Sequence, residues 1–220
     1  MTSWLIGVAL AIFFRLLPFI VGVIFWAKLK QAERALIILF GFDVISIVVG
    51  SFLAYYFHNN IIVFHFYLCF EILCLSIFFQ QYFYSTGAKK ALKWFPMLYF
   101  MLYLVYLLYT RQWFEDAPAF SAIEVIFIIL LSAISLAQIS SDDDNLIRQG
   151  RFWIVTGLLI FTLINGGYFI MNYWLISSNY ELSASLQVIT KYSYYFVNVL
   201  FALGLWLIAK DALKSVVRST

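Results

Sequence analysis

Ala35–Phe57 reads ALIILFGFDVISIVVGSFLAYYF, a run with a single acid, Asp43, no base, and otherwise apolar or weakly polar side chains. A helix needs ~20 residues at ~1.5 Å each to cross a ~30 Å hydrocarbon core, and this run is long enough. Backbone amides cannot stay unpaired in lipid, so such a run crosses as a helix; barrel strands would be shorter and alternating. Working outward, Trp4–Ala27 precedes it and Ile61–Tyr84, Ala91–Tyr109, Ala117–Ile139, Phe152–Ile176 and Ser183–Ala209 follow it with the same character. The sequence therefore predicts an all-α, polytopic membrane protein with seven transmembrane helices, forming one domain over residues 1–220.

Composition leaves little room for anything else. At 65% hydrophobic and 11% charged, the chain has too few polar residues to cover a water-soluble globule. The loops and tails are short, so no soluble domain is expected beside the membrane domain. The first run lacks a basic leader and is interrupted by Arg15, which reads as a retained span rather than a signal peptide. Cys69 and Cys74 fall on one span, too far round the helix to bond each other.

Charge placement gives an orientation. Lys28, Lys30, Arg34, Lys89, Lys90, Lys93, Arg148, Arg151, Lys210, Lys214 and Arg218 all fall on one side, the last three in the tail; Arg111 alone falls on the other. By the positive-inside rule the N-terminus is outside and the C-terminus cytoplasmic. The net charge of +3 is thus explained by topology and implies no nucleic-acid partner. Asp142, Asp143 and Asp144 read as a solvated cytoplasmic turn. Trp26, Trp94, Trp113, Trp153 and Trp174 sit near span ends, where amphipathic rings prefer the headgroup region. Gly50 with Ala54, and Gly166-Gly167, are expected sites of close helix approach.

Function is expected among the polar residues that lie at membrane depth, where a charge costs ~2.5–3.5 kcal/mol and normally finds a partner. Arg15, Asp43, Glu71, Glu124 and Lys191 are the charged members. Helical spacing places Gln187, Lys191, Tyr194, Tyr195 and Asn198 on one face of span seven, and Asn165, Tyr168 and Asn172 on one face of span six. His65, Tyr67, Glu71 and Cys74 line span three, and Ser121, Glu124, Ser132, Ser135 and Gln138 run down one side of span five. Arg15 is expected to be buried as a structural ion pair with Asp43 or Glu71. Lys191, Glu71, Glu124, Asn165, Asn172, Tyr168, Tyr194, Tyr195, Asn198, His65 and Tyr67 are the expected lining of an outward-facing polar pocket for a small polar or anionic ligand. The competing reading makes Lys191–Glu124 and the Arg15 pair register-fixing ion pairs only.

Several chemistries are disfavoured. His58 and His65 are the only histidines, too few for a three-histidine zinc site, so no metal and no cofactor are expected. No Gly-rich phosphate cradle, G-x-S-x-G elbow or C-x-x-C pair is present. Lys191 and Glu71 mimic a retinal lysine and its counterion, but Lys191 lies close to the outer surface rather than at mid-membrane.

The segment from Asn59 and Asn60 through His65 and Tyr67 to Glu71 resembles the second-to-third-span region of small heptahelical membrane proteins of Bacteroidota. Those proteins share an Asn-Asn loop followed by a His, a Tyr and a Glu on span three. The resemblance implies a bacterial inner membrane and no particular activity. The residues themselves favour a ligand-binding protein of sensor or receptor type, acting through a separate signalling partner at its basic cytoplasmic loops. The alternative is a small-solute transporter with the three-plus-one-plus-three arrangement of the SWEET class. A membrane-embedded lipid enzyme comes third, so an enzyme is the less favoured reading.

Overall fold

The computed structural model of the protein is all-α. It describes the backbone of residues 2–219 apart from 112, 116, 143, 144 and 179, and the side chains except those of 1–5, 142, 169–180, 184 and 215–220 at the excepted ends and segments. The helices are α1 (Thr2–Ile24), α2 (Gln31–Phe57), α3 (Ile61–Phe79), α4 (Thr86–Thr110), α5 (Pro118–Asp142), α6 (Gly150–Ser178) and α7 (Tyr180–Ser219). All seven are long and apolar enough to cross a membrane. Their outer faces carry Val48 and Phe52, Phe66 and Leu73, Phe100 and Val105, Ile126 and Leu130, all exposed. In water such continuous apolar surface would aggregate; against lipid it is the stable arrangement.

The helices overrun the expected spans at several ends. α4 begins at Thr86, so Lys89, Lys90 and Lys93 stand on its first two turns rather than in a loop. The reason is local: Ala-Lys-Lys-Ala-Leu-Lys (88–93) is a sequence of good helix formers. At 25 residues α4 is ~37 Å long, more than the ~30 Å core needs, which leaves the lysine turns for water and headgroups. α2 and α4 each end on a left-handed residue, His58 (φ 54°) and Arg111 (φ 58°), a helix stop more often supplied by glycine.

The chain forms two compact units, Met1–Phe120 and Ser121–Thr220. In the first, α1 packs on α2, α2 on α3, and α3 on α4. The centre of this unit is aliphatic and aromatic: Leu36, Ile37, Leu68, Ile72, Leu75, Phe78 and Phe79 have essentially no exposed surface. Phe42 lies 4.4 Å from Phe70 between ring centroids, tying α2 to α3. Glu33 is fully buried at the start of α2, where its Oε2 accepts the Lys30 N–H at 3.1 Å and so closes the first turn.

In the second unit α6 and α7 form a long, tight hairpin. Their contact is backbone to backbone at one point: a Cβ built on Gly150 would stand 2.1 Å from the Gly204 carbonyl oxygen, and one on Gly204 2.6 Å from that of Gly150. Only glycine allows this approach, and neither position was among the expected small-residue sites. Gly166 was, and a Cβ there would meet Val125 of α5 at 2.7 Å; Gly167 and Gly50 have room to spare.

Candidate functional site

Polar groups at depth occur in three places. In the first unit, Arg15 Nε lies 3.0 Å from Asp43 Oδ2, the two side chains being 17% and 10% exposed. Asp43 is thus the acid in contact with Arg15, one helix-to-helix step from it on α2. Glu71 is buried on α3 with Cys74 one turn further along the same face, and Tyr67, half-buried one turn before it, stacks against Phe42 at 6.3 Å.

Toward the Ile61 end of α3, His65 is 5% exposed and joins α3 to α4 and to the loop beyond it. Its Nε2 lies 3.1 Å from the Trp113 carbonyl oxygen, and its Nδ1 contacts the Tyr103 hydroxyl. A carbonyl can only accept, so Nε2 carries a proton, and in the neutral ring Nδ1 then accepts from Tyr103 O–H. Asn59 Nδ2–H donates to the Phe114 carbonyl at 3.1 Å while its Oδ1 receives Ile61 N–H at 2.9 Å. Two short loops are therefore laced together at one end of this unit. Tyr99 extends the lacing by donating to the Phe120 carbonyl at 3.2 Å, with Tyr103 ring-packed on Phe120 at 4.6 Å. Sequence reasoning found His65 but missed Tyr103 and Trp113. The available signal was the spacing Pro96, Tyr99, Tyr103, Leu107, which is the buried stripe of α4.

On the α6–α7 hairpin the expected ligand-binding residues divide. Asn198 is buried and its Nδ2–H donates to the Tyr194 carbonyl at 2.8 Å; Asn165 does the same to Phe161 at 2.9 Å. Tyr194 packs edge-on against Phe161 at 5.0 Å, Tyr195 is buried, and Tyr168 is half-buried. Lys191 and Gln187, by contrast, are exposed. A desolvated lysine was expected; Lys191 is instead exposed on the surface of α7. Asn172 lies on α6, with its side chain outside the described residues. The length of the hairpin explains the change. α6 has 29 residues and α7 has 40, so both outrun a ~30 Å core, α6 by ~13 Å. Lys191 stands ~28 Å along α7 from Lys210, near the far edge of any such core.

The third place is α5. Ser121, Glu124, Ile128, Ser132 and Ser135 fall within about a third of the helix circumference, and all are buried, Ser132 and Ser135 completely. Among the described residues, the hydroxyls of Ser121, Ser132 and Ser135 and the Oε1 of Gln138 have no hydrogen-bond partner. Some helical hydroxyls elsewhere in the unit close onto their own carbonyls, as Thr162 does to Leu158 at 2.8 Å and Thr190 to Leu186 at 2.9 Å, whereas that of Thr156 on α6 does not.

Glu71 belongs to the first unit, and Glu124, Asn165 and Lys191 to the second. Among the described residues no three His, Cys, Asp or Glu side chains are grouped to hold a metal ion. No protein-family model, curated protein or solved structure matches the chain.

Proposed function

We propose that this is a multi-pass protein of the bacterial inner membrane, with its N-terminus outside, that senses a small polar or anionic ligand at the outer end of α6–α7. The observation that carries the reading is the overlong hairpin with Lys191 and Gln187 exposed on it. A helical pair that outruns the hydrocarbon presents its far end to water, where an accessible ammonium can meet a carboxylate or phosphate. The half-buried ring of Tyr194 and the buried ring of Tyr195 below it offer an amphipathic floor. Signal would pass to a separate partner on the side that the positive-inside rule makes cytoplasmic, to which it assigns the exposed Lys28, Lys30, Lys89, Lys90, Lys93 and Lys210.

Two measurements test this. A membrane-impermeant amine reagent applied to intact cells should modify Lys191 and spare Lys89 and Lys90; the reverse pattern overturns the orientation. Inorganic phosphate and short carboxylates should raise the melting temperature of the wild-type protein in detergent and not that of Lys191→Ala, since a bound ligand stabilises by mass action, ~2.7 kcal/mol at a hundredfold excess over Kd. An equal rise in both proteins, or in neither, removes Lys191 from the site. Small-solute transport is the second reading, favoured by the unpartnered hydroxyls of α5. Uptake of labelled solute into proteoliposomes distinguishes it.

A further inference from the structure

The buried face of α5 is the least explained surface in the molecule. Ser121, Ser132 and Ser135 are 4%, 0% and 0% exposed, and none of their hydroxyls meets a hydrogen-bond partner among the described residues. Native proteins rarely leave such a group dry; a buried hydroxyl without a protein partner ordinarily holds an internal water. The easy remedy, bonding to a carbonyl of the preceding turn, is used by Thr162, Thr190 and Ser185 but not by these serines.

These groups are also aligned. From Ser121 to the Oε1 of Gln138, itself buried and unpartnered, the face covers ~25 Å of helix, most of a ~30 Å core. Buried Glu124 lies one turn from Ser121 on the same face. Ionisable groups at such depth are expensive and normally retained for a purpose. One apolar residue interrupts the series: Ile128, 3% exposed, stands between Glu124 and Ser132, which are ~12 Å apart along the axis.

We infer that the buried face of α5 holds a file of internal waters that conducts protons, with Glu124 as the exchanging carboxyl and Ile128 as the constriction. A proton enters from water beside Ser121 and protonates the Glu124 carboxylate. It leaves that oxygen for a water on the far side, and passes by way of waters bonded to Ser132 and Ser135 to Gln138. Only O–H bonds are made and broken, and the transferred charge is balanced by a counter-ion moving through a separate ionophore. The buried Ile128 side chain sets how often the file is continuous, as hydrophobic constrictions do by dewetting. This inference is independent of any ligand at Lys191.

The test is proton flux into proteoliposomes carrying an entrapped pH-sensitive dye, driven by a potassium gradient with valinomycin. Wild-type protein should acidify the lumen faster than protein-free liposomes. Glu124→Gln should fall to the protein-free rate, and Gly167→Ala, whose added Cβ meets nothing within 4 Å, should match wild type. Ile128→Asn should raise the flux several-fold and Ile128→Phe should suppress it. Wild-type flux equal to that of protein-free liposomes, or Glu124→Gln as fast as wild type, overturns the proposal. Should Glu124→Gln not fold, the Ile128 pair decides: opposite changes support the file, and no change in either rejects it.

Discussion

α7 and α5 belong to the same compact unit and bury polar side chains in opposite ways. On α7, Thr190, Ser193 and Asn198 each donate to a carbonyl of their own helix, at 2.9, 2.7 and 2.8 Å. Their polarity is spent locally, and what the helix offers its surroundings is apolar surface. On α5, Ser121, Ser132 and Ser135 keep their hydroxyls uncommitted although they are just as buried. The difference teaches that polar content within a span does not by itself indicate a site; what matters is whether the helix has already consumed it. By that criterion α7 is closed at Thr190, Ser193 and Asn198, whereas α5 is open, among the described residues, at Ser121, Ser132 and Ser135.

The charged form of the closed arrangement is the Arg15–Asp43 pair, and breaking it should have the largest effect. Asp43→Ala leaves a guanidinium at depth without its acid, at a cost of about 3–5 kcal/mol. Thermal unfolding in detergent should show it as a large fall in melting temperature, while a paired Arg15→Met, Asp43→Leu replacement should recover most of the loss. Equal melting temperatures for wild type and Asp43→Ala would mean that the pair is not what closes α1 against α2.

A smaller effect is expected where α6 and α7 touch. Gly204→Ala puts a methyl 2.6 Å from the Gly150 carbonyl oxygen and 2.6 Å from Ile154 Cγ1, so the hairpin must spread. Overpacking of this kind costs about 1–3 kcal/mol. Gly167→Ala, whose Cβ would meet nothing within 4 Å, should be neutral or gain up to ~1 kcal/mol from helix propensity. Similar melting temperatures for the two variants would show that glycine contact does not keep α7 shut.

The sequence carried most of this architecture because lipid enforces it: apolar runs near ~20 residues have only one stable backbone. Helix ends were harder. Membrane length stops being the constraint once a helix is out of the hydrocarbon, and there α4 and α7 continue through lysine-bearing turns that read as loop and tail. His58 and Arg111 gave no sign of their left-handed backbone, since neither is the glycine that such a stop usually takes. Among the polar residues, spacing alone set Lys191 on the face of Tyr195 and Asn198, yet height along the helix decides that the lysine is exposed while the other two are buried. His65 was legible as a buried histidine, but its partners Tyr103 and Trp113 come from another helix and a loop, a pairing no local pattern encodes.

The most direct test of an open α5 beside a closed α7 is radiolytic hydroxyl footprinting of the protein in lipid nanodiscs, in which bound water is converted to radicals that mark the side chains next to it. Ile128 and Leu131 of α5 are 3% and 8% exposed, and Val197 and Leu205 of α7 are 1% and 0% exposed, so bulk solvent reaches none of them appreciably. The account predicts that Ile128 and Leu131 are oxidised while Val197 and Leu205 are spared. Equal protection of all four would contradict it.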